Sequence, residues 1–365
     1  MHFEVTMNSY KDIILFLNIL NINNLRIRNF ISEGLLNTFS EIRFENIDKL
    51  LFLTDKEKNN IKLNFKKFSL EDYKYKLEIS GIKYVTILDE NYPDRLRNIY
   101  NAPAIIYYKG NRNINFNNCL AVVGTRKPTE YGLWATKKII TELTGHDICI
   151  VSGMATGIDA CAHNTAIENN IPTIGILASS LEIRYPKSNN YLYDKMQNEL
   201  LISEFPLFTN PQKQNFIFRN RIISGLSFGT LIVQAAEKSG SLITAKYAIE
   251  QNRDLFVVPG NINSEYSKGC NNLIKFGAKM VQSGLDILED IPFIKEINKI
   301  NIINDNYNFS NKHLEVINVL SGNILSINNI SILTKINIGE LYKIIFELES
   351  KNVVLNVKED FYTLN

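Results

Sequence analysis

A chain of 365 residues with 45% hydrophobic content is long enough for more than one domain and can bury a sizeable core. Its formal net charge of +2 excludes a bulk polycation, so any affinity for nucleic acid has to come from local clustering of charge. Four cysteines without a C-x-x-C pair, and four histidines without a ligand-like cluster, argue against a disulfide framework or a structural metal; neither a metal nor a cofactor is expected.

Taken in order, residues 1–78 read as a small helical domain. Leu17, Leu20, Leu25, Leu50, Leu51 and Leu53 supply apolar faces, and Asp55-Lys56-Glu57-Lys58 reads as a helix start. The apolar run from Ile13 to Leu20 is preceded by Glu4 and Asp12 and followed by no small-residue cleavage site, which does not fit a signal peptide. No stretch reaches the ~18 apolar residues of a membrane span, and a cytoplasmic protein without membrane contact is expected. A helix-hairpin-helix phosphate binder wants glycines between its helices, and Asn21-Ile22-Asn23-Asn24 has none, so this segment is read as structural or partner-facing.

From Gly81 the pattern changes. Short β-type runs at 83–88 and 104–108 are followed by apolar strands at 120–123, 148–151, 173–177, 200–203, 230–233 and 255–258. Between them lie helices carrying Leu133, Ile140 and Leu143, then one starting at Asp159, one around 219–226 and one at 241–251. This alternation predicts a Rossmann-like, doubly wound α/β core over 79–290, with a parallel sheet covered on both faces. Residues 291–310, rich in Asn, read as a linker. In 311–365, Leu314, Ile317 and Leu320 share one helix, Ser326 caps a second, Asn337 and Glu340 fit a capping box for a third, and a β-hairpin ends the chain. Three helices and a hairpin predict a winged helix. Its third helix carries Glu340, Glu347 and Glu349 against Lys343 and Lys351, where a groove-reading helix is basic, so an interaction or structural role is expected.

The chemistry concentrates in loops at predicted strand ends, where open parallel sheets bind ligands. Gly124-Thr125-Arg126, Ser152 to Asp159, and Lys238-Ser239-Gly240-Ser241 combine glycines, hydroxyls and cations suited to an anion. From Phe205 to Ala236 there is no acidic residue, and the charges are Lys213, Arg219 and Arg221, with Phe216 and Phe218 among them. Cations for phosphates and flat rings for unstacked bases suit a single-stranded nucleic acid. The same residues also suit two core phenylalanines and two ion-paired arginines. No P-loop, no G-x-G-x-x-G and no G-x-S-x-G elbow occurs. Ser152, Asp159 and His163 therefore read as a helix start with its cap and a packed histidine, and no catalytic residue is assigned.

The blocks Val123-Gly124-Thr125-Arg126, Ser152 to His163, Arg219 to Ile223, Lys238 to Ala245, Val258-Pro259-Gly260 and Gly269 to Ile274 together resemble the DprA/Smf family of DNA-processing proteins. Their order and spacing match over about 80–285. The family's flanking domains, a helical SAM-like one at the N-terminus and a winged helix at the C-terminus, match more loosely. The resemblance implies a non-enzymatic binder of single-stranded DNA that protects incoming strands in natural transformation and loads a RecA-type recombinase, usually as a homodimer. It implies a DNA-binding set of Gly124, Thr125, Arg126, Lys213, Phe216, Arg219, Arg221, Gly240, Ser241 and Thr244. In that set Arg126 and Lys213 hold phosphates, Phe216 stacks a base, and loop amides and hydroxyls take further oxygens, while Asn220 shapes the loop.

The chain departs from the family pattern at Ala178-Ser179-Ser180, where glycines are frequent, at Thr156, where a basic residue is frequent, and at Gln234, where an acidic one is. Two other readings compete. One is a nucleoside monophosphate phosphoribohydrolase of the lysine-decarboxylase-like group, whose P-G-G-x-G-T motif finds only Pro259-Gly260-Asn261 and Gly229-Thr230 here. The other is a partner scaffold, suggested by the acidic third helix of the tail.

Overall fold

The computed structural model describes residues 9–35, 47–65, 67–110, 114–291, 309–320, 324–351 and 353–364. The described residues up to Ile291, Gly145–Asp147 aside, form one compact unit, and those from Phe309 onward belong to a second. The predicted linker over 291–310 lies almost wholly outside the described residues.

Among the described residues, four helices open the first unit: α1 (Tyr10–Ile19), α2 (Asn24–Ser32), α3 (Asp55–Phe65) and α4 (Leu70–Ile79). Each begins on a side-chain cap. Ser9, Asn23 and Ser69 accept backbone amides from Asp12, Leu25 and Asp72. At α3, the Thr54 hydroxyl accepts from the Glu57 amide at 3.3 Å while the Glu57 carboxylate accepts from the Thr54 amide at 2.9 Å, a reciprocal capping box. Asn21 turns the chain between α1 and α2 with φ of 57°, a left-handed conformation that asparagine tolerates where glycine would otherwise be used. Ile13 to Leu17 are all buried, so α1 is enclosed on every side, which its continuous apolar run anticipates. The helices share one hydrophobic cluster with Ala104, Ile105, Tyr107, Leu177 and Leu201 of the sheet region.

Among the described residues the sheet has nine strands: β1 (Lys83–Thr86), β2 (Ile105–Gly110), β3 (Cys119–Val123), β4 (Cys149–Ser152), β5 (Thr173–Ile176), β6 (Leu200–Ser203), β7 (Gly229–Ile232), β8 (Asp254–Val257) and β9 (Lys279–Met280). Their order is β1-β2-β6-β5-β4-β3-β7-β8-β9, parallel from β6 through β9. One expectation is corrected here: β2 runs antiparallel to both β1 and β6, so the sheet is mixed. A parallel neighbour needs a crossover long enough for a covering helix. The chain between β1 and β2 holds only the short helix Asp94–Arg97, so it returns antiparallel. The central strands are buried on both faces. Helices α5 (Glu130–Glu142) and α6 (Ile158–Glu168) cover one face through Ile139, Ile140, Ile158 and Ala162. Helices α7 (Lys213–Leu226), α8 (Ser241–Glu250) and α9 (Lys268–Lys275) cover the other through Ile222, Ile223, Leu226, Ala245 and Cys270. The chain builds β3 to β6 outward in one direction and then crosses back to place β7 on the other side of β3. That reversal opens a crevice at the carboxyl ends of β3 and β7.

The second unit contains α10 (Asn311–Leu320), β10 (Leu325–Ser326), α11 (Ile327–Thr334), α12 (Ile338–Ser350), β11 (Val354–Lys358) and β12 (Phe361–Leu364), with an antiparallel sheet ordered β10-β12-β11. Ser326 and Asn337 cap α11 and α12 as their sequence positions predict. Ile317, Ile330, Leu341, Ile345 and Leu348 form its core.

Candidate functional site

A cavity of about 630 Å³ occupies the crevice, bounded by the loop after β3, the start of α7 and the loop leading into α8. Gly124, Arg126, Lys213, Phe216, Arg219, Gly240, Ser241 and Thr244 all line it, although they come from three separate stretches of the chain. Thr125 and Arg221 do not.

The loop after β3 is held by its backbone. The Thr125 amide donates to the Gln234 carbonyl at 2.8 Å, and its own carbonyl accepts from Ile158 at 3.2 Å. The Thr125 hydroxyl accepts from the Lys127 amide, so it shapes the turn that leaves Arg126 exposed. Gly124 is needed by packing: a Cβ there would lie 2.6 Å from Cγ1 of Ile158 and 3.1 Å from the Gln234 carbonyl oxygen. The departure at Gln234 has a plain role, since its amide accepts from the Thr129 backbone at 3.0 Å and donates to the Thr129 hydroxyl at 2.8 Å. Thr156 donates to the Arg126 carbonyl at 3.4 Å. Ser179 and Ser180 are buried and bonded within their own loop and to Glu182 and Ser203. All three departures are accommodated by local hydrogen bonds.

Helix α7 starts at Lys213, six residues earlier than the predicted start at Arg219. Its N-cap, Gln212, makes no side-chain cap bond, so the sequence carries no start signal there. The first turns of α7 and α8 contain no acidic residue. Acids would stabilise those N-termini, and their absence leaves the positive ends of two helices facing the cavity. Phe216 is half-buried, with its ring centroid 5.5 Å from that of Tyr185 and the Arg126 guanidinium 5.3 Å away. The Ser239 and Ser241 hydroxyls are 2.8 Å apart at the start of α8. Asn220, midway along α7, reaches toward the Gly240 carbonyl at 3.5 Å, joining the middle of α7 to the start of α8.

The two arginines of α7 have separate fates. Arg219 is 3% exposed and forms the cavity floor, donating to the Gly153 carbonyl at 2.8 Å and to that of Ile176. Burial lowers its pKa to about 10, and the nearby Asp159 opposes that shift. Asp159 does not cap α6 in the expected way. Its carboxylate turns back to accept the Gly153 and Ala155 amides, and burial raises its pKa against the pull of Arg219. Arg221 is 2% exposed and forms a two-pronged ion pair with Glu204 at 2.8 and 2.6 Å. Its guanidinium also covers the Phe218 ring at 3.9 Å. Asn24 of α2 donates to the same Glu204 carboxylate at 3.1 Å, Asn18 of α1 donates to the Glu204 carbonyl, and Tyr107 donates to Asn18 at 2.7 Å. Arg221 thus belongs to a buried network that mounts α7 on the N-terminal helices.

His163 is fully buried, with Nδ1 2.7 Å from the Thr173 hydroxyl, and burial depresses its pKa to about 3, so it is a packed neutral imidazole. The four cysteines are buried. Among the described residues no group of three or more His, Cys, Asp or Glu could hold a metal ion, and no helix is long and apolar enough to cross a membrane. The sequence reading missed Tyr185, Pro211 and Ile217, which also line the cavity. Tyr185 sits in a long loop without regular spacing, and its only signal is the Tyr-Pro pair beside the departing serines.

A Rossmann-type sheet whose switch-point crevice gathers cations, the uncrowded Gly240 and an aromatic ring, with Asp159 bonded to loop amides beside the buried Arg219, defines an α/β protein with a crevice suited to an anion. Its family follows from comparison: residues 83–292 match the model of DNA recombination-mediator protein A, and the chain belongs to that family. It is 38% identical over 255 residues to the DNA processing protein DprA of Streptococcus pneumoniae, covering 68% of this chain and 90% of that one. With DprA of Bacillus subtilis the identity is 42% over 214 residues, covering 58% and 72%. The solved structure of the S. pneumoniae protein superposes with a TM-score of 0.68 at 34% identity, covering 77% of this chain and 96% of the other. A structure of DNA processing protein A from Helicobacter pylori, described for its single-stranded DNA binding mode, gives a TM-score of 0.52 at 32% identity, covering 57% and 95%.

Proposed function

We propose that this chain binds single-stranded DNA in the switch-point cavity and acts there as a non-enzymatic recombination mediator. The observation that carries the reading is Phe216, set half-exposed at the cavity wall with Arg126 beside its ring and Lys213 three residues before it on the same helix. A base can stack on such a ring while its phosphates meet the cations. Membership of the recombination-mediator family, and the single-stranded DNA bound by the H. pylori relative, support the same ligand. In this reading Gly124, Arg126, Lys213, Phe216, Arg219, Gly240, Ser241 and Thr244 face the strand. Thr125 and Arg221 position them, through the loop after β3 and through the Glu204 network. The division into an N-terminal helical segment (1–78), a DNA-binding core (79–290) and a winged-helix tail (311–365) belongs to the proposal, as do protection of incoming strands, loading of a RecA-type recombinase, the homodimer and cytoplasmic residence.

Fluorescence anisotropy with a labelled oligo-dT tests it. Wild type binds, and Phe216→Ala weakens binding about 5- to 150-fold, the worth of one base stack. Arg126→Ala weakens binding and lowers the salt slope by about one, the signature of one lost phosphate contact. Equal binding by both folded variants would place the strand elsewhere. Release of free base from nucleoside monophosphates would instead favour the phosphoribohydrolase reading.

A further inference from the structure

Outside the cavity, the first turns of α5 carry two large exposed rings. Tyr131 is 42% and Trp134 57% exposed; they lie one helical turn apart with centroids 6.1 Å apart and planes 30° from parallel. The Tyr131 hydroxyl donates to the Pro259 carbonyl at 2.7 Å, which fixes that ring against the loop after β8. Neither ring belongs to a hydrophobic cluster among the described residues. Paired aromatic rings held in water at a fixed angle present the kind of exposed apolar surface that marks an interaction site.

Their place in the fold and the charge around them say what that is. Helix α5 leaves directly from the loop of Arg126, so its first turns stand at the carboxyl edge of the sheet, the edge that holds the cavity. Pro259 follows β8 at the same edge. Exposed Arg126 and Lys127 stand in the loop between the cavity and the rings, and exposed Lys137 follows Trp134 by one helical turn. Of the acids on the same helix, Glu142 is paired with Lys138 at 2.8 Å, leaving Glu130 as the exposed exception. Cations followed by stacked rings are the pattern of a single-strand platform, whereas a purely apolar partner would leave the cations unmatched.

Resting on the proposed function, the geometry points to Tyr131 and Trp134 as a second base-stacking subsite, on which a DNA strand leaving the cavity past Arg126 and Lys127 continues. The strand therefore occupies a longer footprint than the cavity alone, and the extension adds stacking without adding a sequence preference.

Trp134 is the sole tryptophan of the chain, so its emission reports this subsite alone. The probes are oligo-dT of about 4 and about 16 nucleotides, bracketing common single-strand site sizes. The longer oligonucleotide is expected to quench Trp134 emission, and an abasic strand of equal length is not. Trp134→Ala is expected to weaken the longer oligonucleotide about 5-fold or more while moving the shorter less than about twofold. Since the side chain is exposed, the variant is expected to keep the wild-type melting temperature. If anisotropy shows Arg126-dependent binding of the longer strand while Trp134 emission stays constant and Trp134→Ala binds equally well, the subsite is overturned and the cavity assignment stands. If wild type binds neither strand, the cavity assignment itself has failed. Emission that follows protein concentration but not DNA would make the pair a protein contact and also overturn the subsite.

Discussion

Three arginines near one cavity end up with three different roles, and the partner of each decides which. Arg126 is exposed, Arg219 is buried against backbone carbonyls at the cavity floor, and Arg221 is locked to Glu204. Sequence displays the charges and not the partners: Glu204 lies 17 residues from Arg221, and Asn24 lies 180 from Glu204. Arg219 and Arg221 were therefore legible as important while their division of labour was not. Removing one member of a buried pair strands the other charge, so Glu204→Ala is expected to cost about 3–5 kcal/mol in urea unfolding. A cost below about 1 kcal/mol would mean the pair is solvated. His163 gives a pH test. Its pKa falls to about 3 in the fold from an ordinary value of 6.5, because burial disfavours the charged ring and Arg219 repels it. The unfolded chain takes up this proton first on acidification. The stability contributed by the neutral ring is thus complete above about pH 6.5 and is lost as pH falls toward 3. The stability difference between wild type and His163→Gln is expected to shift against wild type across that window; a constant difference would show the ring titrating normally.

At the scale of elements, strands and helices of the core were legible because apolar runs and amphipathic periods are local signals. The start of α7 and the path of the Tyr185 loop were not, since tertiary contacts replace a cap in one and regular spacing is missing in the other. Glycines divide in the same way. Gly157 has φ of 82°, and a Cβ there would run into the Thr125 carbonyl and lie 2.8 Å from the Arg126 backbone. Gly240, with φ of −62°, has nothing within 4 Å of that position. Gly157→Ala is expected to destabilise by about 1–3 kcal/mol and Gly240→Ala to stay within about 0.5 kcal/mol, read from thermal or urea unfolding. Similar costs for both would show that the two loops are equally free to adjust.

Over the whole molecule, the crevice depends on β3 having β4 on one side and β7 on the other, a strand order that no local pattern encodes. The antiparallel β2 was missed for the same reason: direction is fixed by what the connecting chain can reach. The chain also holds two compact units with separate cores, so each is expected to lose its structure by itself. Trp134 reports only the first. Urea unfolding followed by far-ultraviolet dichroism is expected to show a transition that tryptophan emission does not; superimposable curves would mean that the units unfold together.

The Glu204 network also has a consequence in time. It ties residues 18, 24, 101, 107, 204 and 221 into one buried knot, so α7 reaches its seat only after segments nearly two hundred residues apart have met. Contacts that close such long loops form late and slowly. A ribosome-bound chain that has not yet released Arg221 holds the N-terminal helices and six of the nine sheet strands but no cavity. In refolding, recovery of strand binding is expected to trail recovery of helix content.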